Sequence, residues 1–267
     1  MELVVDGQRA YAYTGGKPFD PALPCIAFVH GALNDHSVWT LLARWFAHHG
    51  HAVLAVDLPG HGRSAGAPLP DVESLADWLL AVLDAAGVKR AALAGHSMGS
   101  LIALEAASRA PQRVTQLVMI GTAYPMKVSD ALLATARDEP YRAIDMVNAF
   151  SHSSLASKPS FPGPGTWLHG ASRALMRRTQ DAQRGLNLFH HDFSVCDRYA
   201  NGLQAAAKVA CPVSLVLGER DQMTMPKATH EIAQALKAHV TLVPAGHALI
   251  AEAPDATLAA VRAALGA

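Results

Sequence analysis

Short, almost unbroken apolar runs alternate along the first half of the chain with stretches in which apolar residues recur every three or four positions. The runs are CIAFVH (25–30), HAVLAVD (51–57), RAALAG (90–95) and VTQLVMIG (114–121). Between them, SVWTLLARWFAHHG and VESLADWLLAVLDAAG carry the helical period. A strand that is apolar at every position is covered on both faces, so the pattern predicts a parallel sheet with helices packed on each side. Ahead of it, Leu3–Val5, an Asp6-Gly7 turn and Arg9–Tyr13 predict a β-hairpin.

The alternation stops near Tyr124. From there to Ala206 no strand-like run is seen, and helical pieces are mixed with Pro-Gly punctuation such as KPSFPGPGTW (158–167). It resumes with PVSLVLG (212–218), a helix from Pro226 to about Ala238, the run HVTLVPAG (239–246) and a last helix from Pro254 to the C-terminus. The expected fold is α/β, a doubly wound, mostly parallel sheet of about eight strands flanked by helices. Residues 1–123 and 207–267 form its core, and 124–206 a helical cap inserted into it.

Composition narrows the partners. The chain has 267 residues, 51% of them hydrophobic, enough for a large core. Twenty-two basic and 22 acidic side chains cancel, which removes the electrostatic reason to expect nucleic acid or an anionic membrane and favours a small, mostly uncharged ligand. The three cysteines, Cys25, Cys196 and Cys211, lack metal-ligand or Cys-x-x-Cys spacing, so reduced thiols are expected. No run of 18 apolar residues and no leader-like N-terminus is present, and the expectation is a soluble, cytoplasmic protein without a membrane span.

The chemistry centres on Gly95-His96-Ser97-Met98-Gly99, a Gly-x-Ser-x-Gly sequence lying where the strand RAALA passes into the helix SLIALEAASRA. A turn this tight puts the serine in a strained conformation, tolerable only when the residues two positions away lack Cβ atoms. The hydroxyl is thereby held clear at a helix N-terminus, whose N–H groups and dipole favour the negative charge that develops during attack on a carbonyl. An ordinary N-capping serine in a Gly-rich turn is the plainer reading of the pentapeptide alone.

A serine nucleophile needs a base, and the base an orienting acid. Both are expected after the serine, acid first, at the carboxyl ends of later strands. Asp221 follows the strand VSLVLG in GERD, and His247 follows HVTLVPAG in AGHA, so Ser97, Asp221 and His247 keep that order. Glu219 is the competing acid. An oxyanion hole would take one N–H from Met98 and a second from the loop His30-Gly31-Ala32-Leu33, with Ala32 the first choice and Leu33 the next. His30 is expected to brace that loop by hydrogen bonds, His96 to pack, and His48, His49 and His51 to be solvated.

With these stretches, and with HGALNDHSVW (30–39), DLPGHGRS (57–64) and GHALIAEAPD (246–255), the chain resembles the α/β-hydrolase fold superfamily over nearly its whole length. The resemblance implies that 57–64, His61 included, shapes a structural loop. Related epoxide hydrolases and haloalkane dehalogenases carry Asp at the elbow, so Ser97 points instead to acyl transfer. The resulting expectation is a serine hydrolase needing no cofactor or metal, most of all a carboxylesterase acting on a small-molecule ester. The alternatives are a C–C bond hydrolase, lactonase, thioesterase or perhydrolase, and, outside enzymes, a small-ligand receptor that retains the triad. HGALND lacks the extra glycines typical of C–C hydrolases. Met126, Met146, Phe150, Leu155, Trp167, Leu168, Met176, Leu188 and Phe189 are candidates for an apolar pocket, most of them expected to be ordinary packing residues. The polar residues His169, His190, His191, Asp192 and Arg198 are expected in solvent, and His190-His191-Asp192 is not spaced for a metal.

Overall fold

A computed structural model describes residues 1–155, 166–182 and 185–267, so most of the Pro-Gly stretch at 158–167 lies outside the described residues. The N-terminal hairpin forms as expected from β1 (Glu2–Val5) and β2 (Gln8–Tyr13). Asp6 and Gly7 both have positive φ, 50° and 74°, the combination a two-residue turn needs to match the twist of the strands it joins.

The buried runs form β3 (Cys25–Val29), β4 (Ala52–Val56), β5 (Ala91–His96) and β6 (Val114–Ile120), followed by β7 (Val213–Gly218) and β8 (His239–Val243). Together with the hairpin they make one eight-stranded sheet in the order β1-β2-β4-β3-β5-β6-β7-β8. β2 joins β4 antiparallel, and β4 through β8 are parallel. β8 is shorter than its apolar pattern, because the Ala245 N–H turns back onto the Val243 carbonyl at 2.7 Å and leaves the ladder.

Residues of β3, β4 and β5 are buried throughout, and their alternation divides the core into two layers. Ala27, Val29, Leu54 and Leu93 face α2 (Val72–Ala85) and α3 (Met98–Arg109), where Leu79 and Leu101 meet them. Ile26, Phe28, Val53 and Ala94 face the other way, toward Leu42 and Phe46 of α1 (Thr40–His48) and Val261 of the last helix, Pro254–Leu265.

Between β6 and β7 come α4 (Asp130–Asp138), α5 (Pro140–Ser151), α6 (Leu168–Ala182), α7 (Leu188–Arg198) and α8 (Gly202–Ala206), and none of the eight strands falls there. These helices hold a separate apolar cluster, with Ala136, Ile144, Val147, Met176, Leu188 and Phe189 among its members. Leu33, from the loop after β3, completes it. The helix expected at 226–238 begins as a 3-10 turn, Pro226–Thr229, and continues as α9 (His230–Leu236). A short helix not read from the pattern, α10 (Leu249–Glu252), precedes α11, Pro254–Leu265. Among the described residues no helix is long and apolar enough to cross a membrane.

Candidate active site

Ser97 sits at the turn from β5 to α3 with φ 53° and ψ −122°, a conformation that an L-residue enters only under constraint. Its N–H donates to the Ile120 carbonyl at 2.9 Å, which ties the turn to β6. The two glycines are required by contact. A Cβ on Gly95 would lie 2.0 Å from the Gly99 carbonyl oxygen, and one on Gly99 would lie 2.3 Å from that of Val29. Neither clash can be relieved by a rotating side chain, since every near atom is backbone.

Asp221 and His247 come together from the ends of β7 and β8. The imidazole Nδ1 lies 2.8 Å from Asp221 Oδ2. An ionised carboxylate only accepts, so Nδ1 carries the proton and Nε2 presents its lone pair. Burial acts to raise the Asp221 pKa, but the facing imidazole and hydrogen bonds from His247 and Thr224 outweigh it and hold the carboxyl below the usual range. Glu219, the competing acid, is exposed, and its N–H donates to the Val243 carbonyl in the sheet.

Three supports of this pair were not read from the sequence. The Thr224 hydroxyl donates to Asp221 Oδ2 at 2.7 Å and lies 3.1 Å from His247 Nδ1. Glu252, on α10, accepts the Gly246 N–H at 2.6 Å and the Ser153 N–H at 2.9 Å, joining the histidine loop to the segment after α5. His96 donates from Nε2 to the His247 carbonyl at 3.0 Å, so the elbow's variable residue packs and also anchors. Burial, and next the neighbouring His247, lower the His96 pKa to about 3, so its ring is neutral.

The loop after β3 closes over the elbow. A Cβ on Gly31 would lie 3.1 Å from Ser97 Cβ, so glycine allows the close approach. The Leu33 N–H donates to Asp192 Oδ2 at 2.8 Å. That commitment removes the second candidate for the oxyanion donor and leaves Ala32, which lines the same cavity as Ser97. Met98 opens α3, where an N–H has no acceptor within its own helix. His30 braces the loop, donating from Nδ1 to the Gly31 carbonyl and accepting the Leu58 N–H at Nε2. Burial, and next His61, lower its pKa to about 4.

Asp192 corrects the expectation of a solvated residue. It is 2% exposed and binds both Leu33 and, at 2.9 Å, His61 Nε2. Burial would lower the His61 pKa, but Asp192 raises it above the ordinary value. Nδ1 faces the Pro59 carbonyl at 3.0 Å and Nε2 faces Asp192, so both ring nitrogens meet acceptors, the arrangement of a buried ion pair. Asp35, His36 and Asp57 also cluster closely enough to face one ion. Their oxygens are already engaged: Asp57 accepts from the His36 and Arg63 N–H groups, and Asp35 from Ser37 and Arg178. We read that cluster as a lock on the loops after β3 and β4.

Ser97 and His247 line one cavity of about 620 Å³. Of the nine apolar candidates, Met126, Met146, Phe150, Leu168 and Met176 line it. Leu188 and Phe189 pack inside the helices, and Leu155 and Trp167 are exposed.

The sheet order, the serine on the turn after β5, and a carboxylate and histidine after the last two strands define a class, an open α/β sheet of the hydrolase kind. The chain belongs to the alpha/beta hydrolase fold family, whose model matches residues 24–254. Among curated relatives it is 26% identical over 223 residues to a putative carbamate hydrolase RutD of Klebsiella pneumoniae (strain 342), covering 80% of each chain. It is 42% identical over 114 residues to the dihydrolipoyllysine-residue acetyltransferase component of the acetoin cleaving system of Pseudomonas putida, a match spanning 41% of this chain and 28% of that protein. Among solved structures it resembles an enol-lactonase from Burkholderia xenovorans LB400, with TM-score 0.81, 21% identity and complete coverage of both chains. A thermophilic esterase matches with TM-score 0.79, 22% identity and 100% and 96% coverage. At these identities the two structures speak for the fold.

Two predictions follow from the packing. Gly99→Ala should lower the unfolding free energy by about 3 kcal/mol in denaturant titrations, because its Cβ has no room; an unchanged midpoint would contradict the contact. His30 and His96 are neutral when folded, with pKa values of about 4 and 3, whereas the unfolded chain binds their protons below about pH 6.5. Stability should therefore fall as pH drops from 6.5 to 4, by on the order of 3 kcal/mol per histidine. His61 has a raised pKa, so its contribution is present throughout that window and is lost only as pH rises through its folded value. Urea titrations between pH 4 and 7.5 measure this, and His96→Gln should flatten the slope.

Proposed function

We propose that this protein is a serine hydrolase, most of all a carboxylesterase acting on small to medium acyl or aryl esters. The observation that carries the reading is the 2.8 Å contact between His247 and Asp221 on the wall of the cavity that Ser97 also lines. His247 Nε2 takes the Ser97 proton as Oγ attacks the ester carbonyl. The Ala32 and Met98 N–H groups receive the oxyanion. Collapse of the tetrahedral intermediate expels the alcohol, protonated by His247, and leaves an acyl-enzyme. Water, deprotonated by the same imidazole, attacks that acyl group and releases the acid and the free serine. Asp221 holds the ring in the tautomer this sequence needs and stabilises the imidazolium between steps.

The substrate range rests on the cavity. A volume of about 620 Å³ with walls from Met126, Met146, Phe150, Leu168 and Met176 accommodates a modest acyl or aryl group, and thioether side chains adapt to its shape. In this reading residues 124–206 form the cap that covers it. A lactone is a cyclic ester and would be opened by the same steps.

Turnover separates the enzyme from a receptor that merely retains the triad. The wild-type protein should hydrolyse short p-nitrophenyl esters over many cycles, and a fluorophosphonate should label the peptide that carries Ser97. Ser97→Ala should lower kcat by about 10⁴ to 10⁶ and Asp221→Asn by about 10⁴. A Ser97→Ala protein with full activity would refute the assignment, and a single stoichiometric reaction would favour the receptor.

A further inference from the structure

The chain carries equal numbers of acidic and basic side chains, but the wall of the cavity does not share that balance. Among the described residues no Asp or Glu lines it, whereas Lys127 and Arg178 do. The two cations differ in how far they are committed. Lys127 donates from Nζ to the Asp197 carbonyl at 2.7 Å and lies 3.6 Å from the carboxylate of the same residue. Arg178 makes one hydrogen bond among the described residues, from Nη2 to Asp35 Oδ2 at a long 3.3 Å. A guanidinium offers a planar fork of N–H donors, so most of this one stays open, and the side chain is 65% exposed.

Two independent features place that fork at the cavity. Along α6 the lining residues are Leu168, Ala171, Ser172, Leu175, Met176 and Arg178, all on one side of the helix. Arg173 and Arg177 lie on the other side and pair with Asp145 of α5. The second feature is the acceptor. Asp35 stands in the loop after β3 between Asn34 and Ser37, and both of these line the cavity. A guanidinium bonded to Asp35 therefore sits on the cavity rim, between α6 and the loop that carries Ala32. The Asp35 carboxylate is turned toward the protein, 9% exposed and accepting the Ser37 N–H at 2.8 Å on Oδ1. It anchors one nitrogen of the fork and leaves the others free.

We propose that Arg178 is a specificity-determining residue that binds a carboxylate carried by the ester. The substrates favoured are half-esters of dicarboxylic acids or acyl esters of hydroxy acids. The inference rests on the serine-hydrolase reading, and it concerns which ester is selected. A carboxylate meets the planar fork with paired, charge-assisted hydrogen bonds that a neutral alkyl end cannot make. The apolar wall formed by Leu175, Met176 and their neighbours receives the methylenes between that carboxylate and the ester carbonyl. Because the rim is open to solvent, the preference is modest and falls with salt.

Two series of matched esters test this, one for each half of the substrate. Monomethyl butanedioate, pentanedioate and hexanedioate are compared with methyl pentanoate, hexanoate and heptanoate. The butanoyl esters of 2-hydroxyethanoate, 3-hydroxypropanoate and 4-hydroxybutanoate are compared with propyl, butyl and pentyl butanoate. In at least one pair the wild-type kcat/KM should favour the carboxylate by about fivefold at low ionic strength, chiefly through KM, and added sodium chloride should shrink the ratio. Arg178→Gln should abolish the preference and Arg178→Lys should keep part of it. Arg142→Gln removes the same charge from the exposed surface of α5, away from the cavity, and should leave it intact. A preference absent from every pair, or present and unmoved by Arg178→Gln, overturns the assignment and leaves the esterase reading standing. Calorimetry on Ser97→Ala protein reads the subsite without turnover. There the carboxylate member of at least one pair should bind about fivefold more tightly, and the difference should vanish in the Ser97→Ala, Arg178→Gln double variant. Equal binding in every pair overturns the subsite. An intact binding preference with no turnover of any ester by the wild type would instead overturn the esterase reading.

Discussion

The turn between β5 and α3 is the constraint on which the other parts of the site depend. The chain reverses from strand to helix within one residue, and that residue, Ser97, has φ 53°. Such a conformation persists only when the surroundings over-determine it. Here the Gly99 backbone lies directly against the Val29 and His30 carbonyls, and the Ser97 N–H is held by Ile120. Three adjacent strands, β3, β5 and β6, thus converge on one serine. The same contact fixes the start of the loop after β3, so the hydroxyl and the Ala32 backbone are positioned by one piece of packing.

The histidine is held differently, by polar groups from elements remote in sequence. His96 secures its carbonyl, Glu252 the preceding N–H, Ser151 the following one, and Asp221 with Thr224 the ring. A loop with that many fixed points has little freedom to reorient when the ring changes charge. In the reaction proposed above, that is a requirement of a group that takes and returns a proton within one turnover. Under that proposal a neutral His96 serves the same end, since a second cation 4.8 Å from the His247 ring would oppose formation of the imidazolium.

What was legible in the sequence was whatever leaves a local signature. Fully buried strands leave unbroken apolar runs, and β3 to β7 fall within a residue or two of them. The elbow leaves two glycines around a serine, and Asp221 and His247 were marked by the ends of their strands. What was not legible depends on partners far along the chain. Asp192 meets His61 from 131 residues away, and Ser153 meets Glu252 from 99. Neither residue differs locally from a solvated one. Thr224 lies only three residues from Asp221, yet its role depends on a hydroxyl reaching both the carboxylate and the imidazole, which no spacing rule encodes. The end of β8 shows the opposite error: the apolar pattern continues past Val243, but the Ala245 N–H turns back to the Val243 carbonyl and the ladder ends there.

The helices between β6 and β7 are joined to the site by more than coverage. Leu33, next to Ala32, has φ 56° and is wholly buried in their apolar cluster, while its N–H is held by Asp192 of α7. Burying a leucine contributes about 1.5–3 kcal/mol. Swinging α7 away from the sheet would expose that side chain and break a buried ion pair between Asp192 and His61, leaving each charge without its partner. Both costs oppose a hinged opening of α7. Nor is this tie confined to one helix, since Arg178 of α6 reaches Asp35 of the same loop at 3.3 Å. The conformation of the loop that would receive the oxyanion is therefore set as much by α6 and α7 as by the sheet. Changes in those helices would alter the chemistry as well as the fit of a ligand.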